Sequence, residues 1–356
     1  MREWLKRWED VTVGVNKVYT TPLTHNFLMV GVCLIIVSTL IGYTYFSTLG
    51  NIGTIFSKQL MVDYVYKIII SLVMGSLIYL IIGSLKREKL TIKQRLNELF
   101  KSPVLAYSVL LILLLSYDVS LKALLIGTFI ISILVSRSKQ GYIAYSIHPV
   151  ILGYLSTVFV EVNRYAKFDL FGVPTVLNTP FTTSLSSQAI LTYDQFTAQY
   201  YSLETVIFGF YEGSLSFTLM IFIAVTALLL LKRRMINFLL LCIYLGGVIL
   251  SGIMYGKILG LDSWLITLGV LNGNVLFIAT FLLSDPVVLP KRKSYCIGYV
   301  SLLTLLTVYM TYHVHFILGP FTALLIGQLS CYLVRVGVTF KIFNMNKTKN
   351  MKLAKK

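Results

Sequence analysis

The residues best suited to chemistry in this chain lie in one polar stretch, Arg164 to Gly213. Hydroxyls at Thr175, Thr179, Thr182, Thr183 and Ser184 alternate there with the rings of Phe168, Phe171, Phe181, Tyr193 and Tyr200. Hydroxyls beside aromatic rings suit the holding, or covalent attachment, of a flat aromatic cofactor; the same composition also suits a loop lying on a membrane surface. At about 50 residues the stretch exceeds an ordinary connection. Elsewhere ionisable groups are sparse. Asp63, Lys67, Asp118, Lys122 and Asp285 sit near the ends of apolar runs, where such side chains are expected to reach the interface. His313 and His315 are two apart and so on different helix faces, which makes them, with His148, structural histidines rather than haem ligands. Cys33, Cys242, Cys296 and Cys331 occur singly in apolar runs. Without C-x-x-C spacing they indicate neither zinc nor an iron-sulfur cluster, and are expected to be small buried hydrophobes. No nucleophile-base constellation and no phosphate-cradling glycine loop appears, which argues against a hydrolase.

The elements that must position that stretch are membrane helices. Of 356 residues, 56% are hydrophobic and only 13% charged, with a mean hydropathy of +0.80; soluble domains are roughly 25% charged. A bilayer core takes about 20 apolar residues per helix. Ten runs qualify: 27–49, 62–85, 103–117, 119–136, 143–161, 215–231, 235–255, 263–283, 294–313 and 317–340. The third is short and reads as a protein-buried helix. The eighth has a polar centre at Gly269, Asn272, Gly273 and Asn274. The formal charge of +17 sits in short clusters between runs: Arg2 to Arg7, Lys86 to Lys101, Arg137 and Lys139, Lys232 to Arg234, Lys291 to Lys293, and the tail from Lys341. All of these fall on one side if both termini are cytoplasmic, as a chain oriented in a bilayer requires, and the pattern is not that of a nucleic-acid-binding surface. The cell membrane is then the expected location, with 162–213 extracytosolic. Residues 1–26 lack the apolar core of a signal peptide and form a cytoplasmic segment. The remaining divisions are a first membrane half, 27–161, a second, 214–340, and a basic cytoplasmic tail, 341–356.

The halves echo one another. Leu115-Ser-Tyr-Asp118 parallels Leu282-Leu-Ser-Asp285, and His148-Pro-Val-Ile-Leu-Gly153 parallels His315-Phe-Ile-Leu-Gly-Pro320; Asp118 and Asp285, like His148 and His315, are 167 positions apart. Five spans per half is odd, so such a repeat would be inverted in the membrane. The expected fold is therefore all-α and integral to the membrane: about ten transmembrane helices in two inverted five-helix repeats, each with a short or broken helix.

Four motifs, in order, carry a resemblance. They are Ser138-Lys-Gln-Gly-Tyr-Ile-Ala-Tyr-Ser-Ile-His-Pro149 with Gly153, Asn178-Thr-Pro-Phe181, Glu212-Gly-Ser-Leu215, and Ala279-Thr-Phe-Leu-Leu-Ser-Asp-Pro286. Together they resemble the D subunit of the Rnf electron-transport complex and the B subunit of the sodium-translocating NADH:quinone reductase, over about residues 100–330. The second motif resembles the threonine-proline site where FMN is attached through a phosphoester. The chain departs from the family pattern at Val176, Leu177 and Asn178 and at Ser216-Phe217. The resemblance implies an ion-translocating electron-transport subunit that passes electrons through extracytosolic FMN, and allows a second, non-covalent flavin. Thr179 would be the anchor beside Asn178, Pro180 would stiffen the turn, and Gly213 and Ser214 would pack against the cofactor or its phosphate. Asp285, Asn272 and Asn274 would line a polar interior. Implied partners are other membrane subunits, flavin and iron-sulfur subunits, and a flavin transferase, with Na+ or H+ as the ion moved. The alternative is a channel or transporter on the same inverted scaffold without flavin, its broken spans lining the path.

Overall fold

The computed structural model describes residues 30, 31, 33, 58–86, 91–115, 119–137, 147–161, 220–232, 236–259, 273–284, 289, 293–313 and 318–333. Among the described residues the regular structure is entirely helical. In chain order the helices are α1 Lys58–Lys86, α2 Ile92–Lys101, α3 Val104–Leu114, α4 Leu121–Arg137, α5 Pro149–Val160, α6 Met220–Lys232, α7 Phe238–Leu259, α8 Gly273–Phe277, α9 Lys293–His313 and α10 Gly319–Leu333. A single π turn, Ile278–Leu282, continues α8.

Among the described residues, Val65–Ser84 of α1, Phe238–Ile258 of α7 and Ser294–Thr311 of α9 are long and apolar enough to cross a membrane, and the α2–α3 pair, bent by 45°, passes the same test jointly. Helices α4, α5, α6 and α10 are apolar but shorter. Large apolar side chains lie exposed on the outer faces of these helices. On α1, Tyr66, Ile69, Val73, Leu77 and Ile81 recur every three or four residues and are all exposed, which places them on one stripe. The opposite stripe, Lys67, Ser71 and Gly75, is buried. Small and hydroxyl-bearing residues on the buried stripe let the helices approach closely, the packing seen where the outer face is as apolar as the inner one.

Helix α3 and the stretch from α8 through the π turn are short and the most enclosed. Ten of the eleven residues of α3 are buried, and every described side chain from Asn274 to Ser284 is buried or half-buried. A span expected over 103–117 is thus a helix held inside protein. Around it, α1 packs on α3 and α4, and α4 packs on α5. In the second half α7 packs on α9 and on the π turn, while α6 packs on α8. Helix α10 meets α9 where Gly327 lies against Tyr299 and Leu303.

The start of α5 differs from the expected 143–161. The helix begins at Pro149, whose ring favours the first helical position and supplies no N–H to an earlier turn. His148 precedes it as the cap, its Nδ1 accepting from Val150 N at 3.3 Å. A helix that the spans did not include is α2, in the basic link after α1. Its signal is a capping box: Thr91 Oγ1 accepts from Gln94 N while Gln94 Oε1 accepts from Thr91 N, the reciprocal pair expected of a helix start.

Candidate functional site

Of the eight residues the sequence points to, Asn178, Thr179, Pro180, Gly213, Ser214, Asn272 and Asp285 lie outside the described residues. So does the rest of 162–213. Asn274 is described, in the first turn of α8 and fully buried. Of the polar cluster expected at a span centre, Gly273 and Asn274 lie in this first turn, and Gly269 and Asn272 lie outside the described residues. Beyond it, the π turn is held by Leu283 N donating to Ile278 O at 2.7 Å and by Ser284 Oγ donating to Ala279 O at 2.7 Å. Both bonds reach back five residues, so Ser284, beside Asp285, closes the widened turn that π geometry creates. The motif Ala279 to Pro286 thus begins on a buried irregular helix.

Two polar seams run through the bundle, and composition alone did not single them out. In the first, Ser71 Oγ and Thr128 Oγ1 are 3.0 Å apart. Thr128 directs its one hydroxyl proton to Leu124 O at 2.9 Å, so Ser71 is the donor between them. Ser132 Oγ lies 2.8 Å from Thr128 O and 3.3 Å from Gly75 O. Ser108 of α3 closes the seam: a Cβ on Gly75 would stand 2.9 Å from Ser108 Oγ, and that hydroxyl has no hydrogen-bond partner among the described residues. Lys67, expected to reach the interface, is buried on the same stripe of α1, because α1 turns this face toward α3 and α4. Lys122 is exposed, as expected.

The second seam lies between α7, α9 and α10. Tyr244 OH and Thr307 Oγ1 are 3.2 Å apart, and Thr307 donates to Leu303 O at 2.8 Å, which leaves the tyrosine as donor. Thr304 and Thr311 continue the α9 face, donating to Ser301 O and Thr307 O at 2.7 Å each. Gly247 sits against Thr304, where a Cβ would meet Cγ2 at 2.7 Å. The Tyr299 hydroxyl is buried with no hydrogen-bond partner among the described residues. At the far end of α7, Tyr255 OH bonds His313 Nε2, so His313 has a structural partner. The sequence signal for both seams was there in hydroxyls spaced at helical repeats, but it does not stand out in a chain with so many Ser and Thr residues.

The halves meet through α5 and α10. His148 N donates to Gln328 Oε1 at 2.8 Å, and the rings of Tyr154 and Phe321 are 4.7 Å apart. Residue numbers rise along one helix as they fall along the other, so the two run antiparallel. The His148 ring lies 4.8 Å from that of Tyr107, which ties this junction to buried α3. On α5, Glu161 Oε1 accepts from Ser120 N at 2.6 Å, satisfying one of the open donors at the start of α4.

Among the described residues no group of three or more His, Cys, Asp or Glu could hold a metal ion. Cys296 is buried and Cys331 half-buried, but Cys33 and Cys242 are exposed rather than in the core expected for them. The described arrangement offers hydroxyls whose protons are mostly committed to carbonyls, with Tyr255 OH on His313 Nε2 as a hydroxyl bonded to a histidine. No protein-family model matches the chain, and no curated protein matches it.

Proposed function

We propose that the chain is a membrane subunit of an ion-translocating electron-transport complex that passes electrons through an extracytosolic FMN, as the Rnf D and NADH:quinone reductase B subunits do. The order of the four motifs carries the reading, above all Asn178-Thr-Pro-Phe181 followed by Ala279 to Pro286. In it the flavin supplies the redox chemistry, while the protein fixes its position and tunes its surroundings. Thr179 anchors the phosphate. Gly213 and Ser214 lie close to the cofactor, and Asn272, Asn274 and Asp285 line the interior next to the π turn. Neighbouring flavin and iron-sulfur subunits deliver and remove electrons, and a flavin transferase loads the threonine.

The proposed ten-helix, five-plus-five inverted arrangement draws support from parallels between halves. Helix α1 packs on α4 as α7 packs on α9, and buried α3 touches α1 as the π turn touches α7. In both halves a glycine of the first helix, Gly75 or Gly247, faces hydroxyls of the other. The basic clusters favour cytoplasmic termini.

The test is in-gel ultraviolet fluorescence of the denatured full-length chain, co-expressed with a flavin transferase. A fluorescent band in the wild type that vanishes in Thr179→Ala supports the reading; no band in any expression condition removes covalent FMN. A second reading, a flavin-free channel or transporter on the same scaffold, is favoured by the two buried hydroxyl seams beside short irregular helices. It is distinguished by solute or ion flux through vesicles that hold this chain alone, without electron donors.

A further inference from the structure

We propose that α2 is an interfacial anchor that lies in the headgroup layer of the cytoplasmic leaflet and binds anionic lipid. The inference rests on the membrane reading and the orientation of its basic clusters, and not on the flavin. It begins with how the chain leaves α1 and enters α3. Helix α1 ends at Lys86, and α2 starts only five residues on from Arg87, so α2 stays near the membrane boundary. It is stopped by Pro103. The residue before a proline is pushed out of helical backbone geometry, and Ser102 has ψ 152°; its Oγ donates to Leu99 O at 2.8 Å. The result is the 45° bend between α2 and the buried α3.

The faces of α2 then decide what covers it. At about 100° per residue, Ile92, Leu96, Leu99 and Phe100 occupy one arc of roughly 100°. Only Leu99, at 5% exposure, turns into the protein. Ile92 at 78%, Leu96 at 41% and Phe100 at 55% are exposed. Lys93 borders that arc beside Phe100, and Asn97, Lys101 and Gln94 follow it round to the opposite side. A helix held against the bundle by one edge, apolar on the adjacent face and polar on the other, has the geometry of one lying in the interface with its apolar side among acyl chains. Charge specifies which lipid. From Lys86 to Lys101 the chain carries six basic side chains against two acidic ones, matching anionic headgroups on the cytoplasmic side.

The experiment uses the full-length chain, with its four cysteines replaced by alanine, reconstituted into vesicles of phosphatidylcholine with or without phosphatidylglycerol. Nitroxides are attached after Leu96→Cys, Phe100→Cys, Gln94→Cys or Asn97→Cys, with Leu77→Cys on α1 as the membrane reference. Relaxation by oxygen is compared with relaxation by a water-soluble nickel complex. Positions 96 and 100 are expected to be oxygen-dominated like 77, and positions 94 and 97 nickel-accessible. Spin-labelled phosphatidylglycerol should associate preferentially over phosphatidylcholine, and Lys93→Gln with Lys101→Gln should lower that preference by up to roughly fivefold per lysine at low ionic strength. Nickel access at 96 and 100 while 77 stays protected overturns the anchor alone; nickel access at 77 as well overturns the membrane reading beneath it. Positions 96 and 100 closed to both reagents would mean a protein surface covers them, and an unchanged lipid preference would remove the anionic partner.

Discussion

Replacing Gly127 by alanine tests the packing of the first half where it is tightest. Helices α4 and α5 meet almost backbone to backbone at Gly127 and Gly153. A Cβ on Gly127 would lie 2.5 Å from Thr157 Cγ2, 2.9 Å from Gly153 O and 3.0 Å from Leu111 Cδ2. The first contact is about 1 Å inside the optimal carbon separation of about 3.5 Å. Thr157 cannot simply rotate away, because its hydroxyl donates to Tyr154 O at 2.6 Å. The second contact is with backbone and yields only if the helices separate. Overpacking of this kind costs about 1–3 kcal/mol. Gly246, on α7, has nothing within 4 Å of a built Cβ, and alanine there should gain up to about 1 kcal/mol of helix propensity. The propensity gain is common to both helix-interior sites, so equilibrium unfolding of the full-length protein in mixed micelles, followed by circular dichroism, should separate the two variants by about 1–3 kcal/mol. Thr157→Ser in the Gly127→Ala background removes the clashing methyl and should recover part of the loss, leaving the part due to Gly153 O. A Gly127→Ala protein as stable as Gly246→Ala would refute this account of the α4–α5 contact.

The remaining predictions concern the second seam and the junction between halves. Tyr244→Phe removes the donor to Thr307 and should cost about 0.5–1.5 kcal/mol, whereas Tyr299→Phe removes a buried hydroxyl with no partner among the described residues and should leave unfolding unchanged or raise stability; the same micelle titration reads both. Gln328→Leu strands the buried His148 N–H and should destabilise by about 1–3 kcal/mol. Its control is Gln328→Glu, which keeps an acceptor at 2.8 Å and is expected to retain more of the His148 amide's protection against hydrogen exchange than the leucine variant; equal protection in the two would sink the idea that this bond joins the halves.

Hydropathy located most of the described helices because a bilayer-length apolar run is a one-dimensional property. The run 294–313 became Lys293–His313, 119–136 became Leu121–Arg137, and 62–85 became Lys58–Lys86. The short third run was legible as protein-buried for the same reason: it is too short to cross and ends in Tyr117-Asp118. Helix α2 was lost among its lysines, although Thr91-x-x-Gln94 and the spacing of Ile92, Leu96 and Phe100 mark it. Lys67 was misplaced because distance from a span end says how far a side chain can reach, but not which way its helix is turned.

Legible in the residues alone were the apolar class, the helical periodicity and the clustering of basic side chains between apolar runs, together with the motif order on which the proposal for Thr179 rests. Which small residues face one another was set by how the helices pack. That Gly127 meets Gly153, that Ser71 gives its proton to Thr128, and that His148 is held by Gln328 180 residues away all follow from helix rotation and pairing. In a chain whose exterior is as apolar as its interior, hydrophobicity carries little information about rotation; close approach and hydroxyl pairing set it instead.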